Sequence, residues 1–120
     1  MRFAPIRLMT AGDMSGSLSS NGVNLNQMVK FTIQAVFTGA PVGTLKLQIS
    51  TDDVPQAPAG QNPSANVVNW TDYTGSSLAV SAAGNVAWLV EGSGYQWVRV
   101  VYTVTGGTGS MNIEFNGQAV

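Results

Sequence analysis

The sequence has 120 residues, a formal net charge of −1 and only 9% Asp, Glu, Lys and Arg, against about 25% in an average globular domain. A chain of this length forms one domain whose core needs no crosslinks, and without a cluster of Lys or Arg it offers no electrostatic footprint for nucleic acid. It also contains no His and no Cys, which removes the commonest general base, the commonest metal ligand and the most reactive nucleophile. We therefore predict no catalysis, no cofactor and no bound metal.

The first 26 residues predict an N-terminal arm or edge segment, with the β-domain proper over residues 27–120. This segment combines apolar residues and two arginines with a run rich in Gly, Ser and Asn that buries too little surface to order itself. We expect Arg2, Phe3, Ile6 and Arg7 to dock on a neighbouring subunit. The alternative is that Arg2–Met9 forms an edge strand of the chain's own sheet. The N-terminus begins with basic residues, but the apolar segment of a signal peptide does not follow, so the sequence does not predict one. No apolar run is long enough to span a membrane.

Short strands separated by Gly, Pro and Asn then follow in chain order. The first lie near Ile6–Met9 and Val23–Met28, and apolar alternation predicts further strands at Lys30–Phe37, Thr44–Ser50, Val67–Tyr73, Ser77–Ala82, Val86–Val90, Tyr95–Val104 and Met111–Phe115. We expect a hairpin turn at each of residues 39–43, 83–85 and 106–107. A two-residue turn at Gly106-Gly107 would place Arg99 opposite Glu114 and put the apolar residues of both arms on one face. Residues 52–65, with three prolines, predict an exposed loop.

About eight such strands without a helix predict an all-β fold, a single antiparallel β-sandwich. The sequence leaves its connectivity open between a jelly roll and an immunoglobulin-like arrangement.

Two groups of side chains are candidates for binding. Asp52 and Asp53 could offer oxygen ligands to Ca²⁺, but consecutive strand residues point apart, so a charged hairpin end is the better interpretation. The aromatic residues could stack on sugar rings, although core packing is their default role. Tyr95 and Trp97 are the exceptions, because alternation places them on one face with Arg99. These three residues join the N-terminal ones as the predicted interaction surface.

Three segments also carry a family resemblance: QAVFTG at 34–39, GTLKLQIS at 43–50 and WVRVVYTVTGGTG at 97–109. Together they resemble small bacteriophage virion proteins over about residues 29–117. The resemblance implies a non-enzymatic structural component of the virion, most simply a capsid accessory or decoration protein. Such a protein would be made in the bacterial host cytoplasm, bind other capsid or tail subunits and form a homo-oligomer, with neither nucleic acid nor membrane as partner. The alternatives are a tail or fibre component, or a carbohydrate-binding sandwich that attaches to a surface glycan of the host.

Overall fold

The computed structural model describes residues 6–25, 29–51, 67, 69–91 and 96–118. These parts contain eight β-strands and no helix, so none of them could cross a bilayer as a helix. The strands are β1 (Ile6–Asp13), β2 (Leu18–Ser19), β3 (Val23–Asn24), β4 (Lys30–Ser50), β5 (Thr71–Asp72), β6 (Leu78–Val80), β7 (Gly84–Glu91) and β8 (Trp97–Gln118). The predicted all-β class is confirmed.

Two long strands form the centre of the sheet. β4 and β8 have 21 and 22 residues and pair antiparallel along their whole length, from Lys30 opposite Gln118 to Ser50 opposite Trp97. The free side of β8 pairs in turn with β1, β2 and β3, and the free side of β4 with β7, β6 and β5. Hydrogen bonds therefore join all eight described strands in one sheet.

This sheet has to bend. An extended strand of 21 residues would span about 70 Å at roughly 3.3 Å per residue, but the longest dimension of the molecule is 38 Å. Both long strands carry glycines near the middle, where Gly39 lies opposite Gly109 and Pro41 opposite Gly107. The predicted hairpins at 39–43 and 106–107 are therefore wrong. The two glycine segments pair with each other at the bend because both backbones can approach closely there.

Gly39 is needed for that approach. Gly39 has φ +86°, a left-handed conformation that glycine adopts without strain. A Cβ atom at Gly39 would also lie 2.9 Å from the Cα atom of Gly109. Any larger residue at this position would push the two long strands apart.

A single bulge keeps the apolar residues of β8 on one side of the bent sheet. Val42 lies opposite Gly106 and Gly43 opposite Val104, so Thr105 has no partner on β4. The extra residue shifts the side-chain alternation by one, from even-numbered to odd-numbered core positions. The core residues of β8 are Val98, Val100 and Tyr102 before the bulge and Met111, Ile113 and Phe115 after it. Their shared face agrees with the prediction, although the hairpin that was expected to produce it is absent.

The predicted register of Arg99 opposite Glu114 is also wrong. Arg99 lies opposite Gln48, and Glu114 lies between Gln34 and Arg7. The predicted hairpin at residues 83–85 is wrong too. β6 and β7 do not pair with each other, because each pairs with a different half of β4.

The N-terminal segment belongs to the chain's own sheet. Leu8, Met14, Val23 and Leu25 are buried in the same core as the long strands. Backbone hydrogen bonds also extend the pairing with β8 beyond β1, for example from Met14 N–H to Gly109 C=O at 2.9 Å. β1, β2 and β3 are therefore edge strands of the chain's own sheet, which agrees with the alternative for Arg2–Met9 from Ile6 onwards, and docking of this segment on a neighbouring subunit stays a prediction. Burial of these four apolar side chains favours the pairing.

Candidate interaction surface

The structure places the residues predicted to form one interaction surface on different strands. Arg2, Phe3 and Tyr95 lie outside the described residues, as do Asp52 and Asp53. Ile6 and Arg7 lie on β1 opposite the C-terminal part of β8, whereas Trp97 and Arg99 lie at the start of β8. Ile6 packs against the hydrophobic core at the edge of the sheet.

Arg7 is engaged within the chain. It lies directly opposite Glu114 in the pairing of β1 with β8, and its guanidinium donates a hydrogen bond to the Glu114 carboxylate. Both side chains are about half exposed, at 48% and 43%, and an exposed ion pair of this kind contributes up to about 1 kcal/mol. The pair helps to fix the register of the edge strand.

Trp97 is fully buried, so its ring is not an exposed platform. Its cross-strand neighbours Ser50 and Asn24 are buried as well, at 4% and 0% exposure. The outer face of the sheet is therefore closed at this end. The ring nitrogen Nε1 of Trp97 has no hydrogen-bond partner in the described structure. Strand alternation predicted the face of Trp97 correctly, but alternation cannot tell whether that face is covered.

Arg99 is the centre of a polar cluster on the outer face. Its Nε and Nη2 atoms both donate to Oε1 of Gln48, at 2.9 and 2.6 Å. Its guanidinium carbon lies 4.4 Å from the centre of the Trp70 ring, within the range of a cation–π interaction. Partial burial lowers the pKa of Arg99, which remains charged at neutral pH.

Asp72 and Lys46 extend this cluster across three strands. The Asp72 carboxylate accepts hydrogen bonds from Nε2 of Gln48 and Nζ of Lys46, each at 3.0 Å. These hydrogen bonds, first from Gln48 and then from Lys46, lower the pKa of Asp72 below its usual 3.8. The cluster thus runs without interruption from Lys46 through Asp72 and Gln48 to Arg99 and Trp70.

A shallow hollow of about 400 Å³ adjoins this cluster. Hydroxyl groups dominate its wall, and the lining residues are Thr44, Lys46, Asp72, Tyr73, Thr74, Gly75, Ser76, Ser77 and Thr103. The described residues contain no group of three or more carboxylates that could hold a metal ion. The charged atoms beside the hollow, on Lys46 and Asp72, are hydrogen-bonded to each other.

Ser76 is a buried structural residue that no sequence pattern singles out. Its hydroxyl accepts a hydrogen bond from Leu47 N–H at 3.0 Å and donates one to Tyr73 C=O at 2.6 Å. Its carbonyl accepts the ring N–H of Trp88 at 2.9 Å. Ser76 thereby ties the turn before β6 to both β4 and β7, and Trp88 has the core role that is the default for a buried tryptophan.

No family model and no curated protein matches this chain. Among solved structures, the SPBc2 prophage-derived protein YomS is similar over 98% of this chain and 94% of its own, with a TM-score of 0.58 and 9% identity. A subunit from the structure "Bacillus endospore appendages form a novel family of disulfide-linked pili" aligns over 100% of this chain and 88% of its own, at a TM-score of 0.47 and 13% identity. At these identities, the similarity to the prophage-derived protein concerns the fold.

Proposed function

We propose that this chain is a non-enzymatic structural component of a bacteriophage virion, and within that class a capsid accessory or decoration protein. The proposal rests on three basic side chains of the surface that are already bound within the chain. Arg7, Lys46 and Arg99 each bind another side chain of the same protein. The remaining surface is rich in amides and hydroxyls, and such a surface can be buried against other subunits with little desolvation of charge.

Two further observations support the phage assignment. The sequence resembles small virion proteins in its long central strands, and the fold is similar to that of a prophage-derived protein over nearly the whole chain. The carbohydrate-binding alternative has lost part of its basis, because it relied on Trp97 as an exposed ring and that ring is buried.

Mass spectrometry of the phage that encodes this chain tests the proposal. Purified virions are disrupted, heads and tails are separated, and the amount of this protein is compared with that of the major capsid protein in each fraction. A fixed ratio in the head fraction is the expected result. Enrichment in the tail fraction instead would favour the tail or fibre alternative, and absence from both fractions would refute a structural role in the virion.

A further inference from the structure

Among the described strands, the edge strand β7 has a neighbour on one side only. Within the described part of the chain it pairs only with β4, and that pairing runs without a register shift from Gly84 opposite Phe37 to Glu91 opposite Lys30. An unbroken edge strand of eight residues presents a row of backbone donors and acceptors to solvent. Such an edge is a template for a further strand.

The other edge segments are protected. β2, β3 and β5 have two residues each and β6 has three, which is too short for stable pairing. β1 is as long as β7, but two register shifts interrupt it and Ala11 has a φ of 51°. Short segments and bulges are the usual means of blocking an edge. β7 has neither of these, and it contains no Pro and no Lys.

The side chains of β7 also leave apolar surface uncovered. Leu89 is 62% exposed on the outer face, and its neighbour on that face, Ala87, is exposed too. On the inner face, Val86 is only partly buried although it packs against the core. A strand added at this edge would cover apolar groups on both faces at once.

We propose that two copies of this chain associate by antiparallel pairing of β7 with β7, centred on Trp88. Residues directly opposite in an antiparallel pair lie on the same face, so self-pairing has to centre on one residue. Centring on Trp88 places Ala87 against Leu89 of the second copy on the outer face, and Val86 against Val90 on the inner face. The single charge of the strand, Glu91, then faces Asn85. The edge is therefore complementary to itself, as a twofold interface requires.

This interface goes beyond the proposed function, since it concerns self-association of the purified protein and does not depend on a place in the virion. The chain contains no cysteine, so in a single-cysteine variant every disulfide forms at the introduced residue. The variants Ala87→Cys and Leu89→Cys are oxidised separately and as an equal mixture. We expect a disulfide-linked dimer to form at least about fivefold faster in the mixture, because only a mixed pair places the two thiols directly opposite. A mixture that crosslinks no faster than Thr103→Cys, an exposed site on β8, would overturn the pairing.

Sedimentation velocity provides the second measurement. Leu89→Lys adds a charge at the centre of the proposed interface, and Thr103→Lys adds the same charge to an exposed strand position away from it. We expect Leu89→Lys to raise the dimer Kd by at least about tenfold, and Thr103→Lys to change it by less than about twofold. The melting curve of each variant shows that it is folded. A wild-type chain that remains monomeric up to on the order of 1 mM, or equal effects of the two substitutions, would refute the proposal.

Discussion

The ring of Tyr102 lies directly against the backbone of Gly43. A Cβ atom added to Gly43 would collide with the Thr103 carbonyl oxygen and stand 2.7 Å from Cε1 and 2.8 Å from Cζ of the Tyr102 ring. This contact lies next to the bulge of β8. Gly43 is therefore required for close packing, and not for its conformational freedom.

Gly43→Ala should destabilise the fold, because the added methyl group forces either the Tyr102 ring or the strand to move. Overpacking of this kind costs about 1–3 kcal/mol, which urea unfolding will measure. Gly106→Ala is the matched control in the same bend, since a Cβ there meets nothing within 4 Å. The control should change the free energy of unfolding by less than about 1 kcal/mol. Equal losses in the two variants would show that the close contact is not the cause.

Tyr102→Phe should leave stability unchanged or raise it by up to about 1 kcal/mol, because the buried hydroxyl of Tyr102 has no hydrogen-bond partner in the described structure. The variant should also differ at high pH. Burial raises the pKa of Tyr102 above the ordinary 10.0, so the unfolded chain loses this proton at lower pH than the folded one does. The contribution of protonated Tyr102 to the free energy of unfolding is complete below about pH 10 and falls as the pH rises from there towards the pKa of the folded state. Urea unfolding between pH 8 and 11 should show a steeper loss for the wild type than for Tyr102→Phe, and parallel curves would contradict this assignment.

Deleting Thr105 should abolish cooperative unfolding or destabilise the fold by more than about 4 kcal/mol. Without the extra residue, the alternation in one half of β8 is reversed and its core side chains face solvent. Thr105→Ala keeps the backbone and removes only an exposed side chain, so its free energy of unfolding should stay within about 0.5 kcal/mol of the wild type. Circular dichroism melts compare the two variants. A deletion variant that melts like the wild type would mean that the strand can slip without loss.

Met14→Ala should cost about 2–5 kcal/mol, as expected for a large side chain removed from a core, because Met14 is fully buried among residues of the long strands. Thr10→Ala, at an exposed position of β1, is the control. Removing residues 1–26 altogether should abolish the cooperative melt measured by circular dichroism. A truncated chain that still melts cooperatively would restore the interpretation of this segment as a separate arm.

The pKa of Asp72 should rise when Gln48 is replaced. The hydrogen bond from Gln48 is the largest single cause of its lowered pKa, and Lys46 lowers it both through a hydrogen bond and through its charge. Nuclear magnetic resonance titration of the Asp72 carboxyl should therefore give a higher pKa in Gln48→Ala than in the wild type. The stabilisation from this group is present above pH 3.8 and is lost as the pH falls through the folded pKa. An unchanged pKa in Gln48→Ala would contradict the role of this hydrogen bond.

The sequence determined the class of the fold and most of its core. Alternation at Phe31, Ile33, Leu45 and Leu47 predicted both the strands and their buried faces, because side chains on a strand point to opposite sides with a period of two. The absence of His and Cys likewise limits the chemistry that any arrangement of this chain could perform.

Only the tertiary structure decided how the strands connect. Gly106 and Gly107 satisfy the sequence requirements of a tight turn, and Gly107 also allows the backbone of Ala40 to approach closely. Which of the two occurs depends on partners far away in sequence, here Pro41 and Val42. The burial of Trp97 and the pairing of Arg7 with Glu114 depend on such distant neighbours too. Local pattern sets the face on which a side chain lies, but long-range packing sets what covers that face.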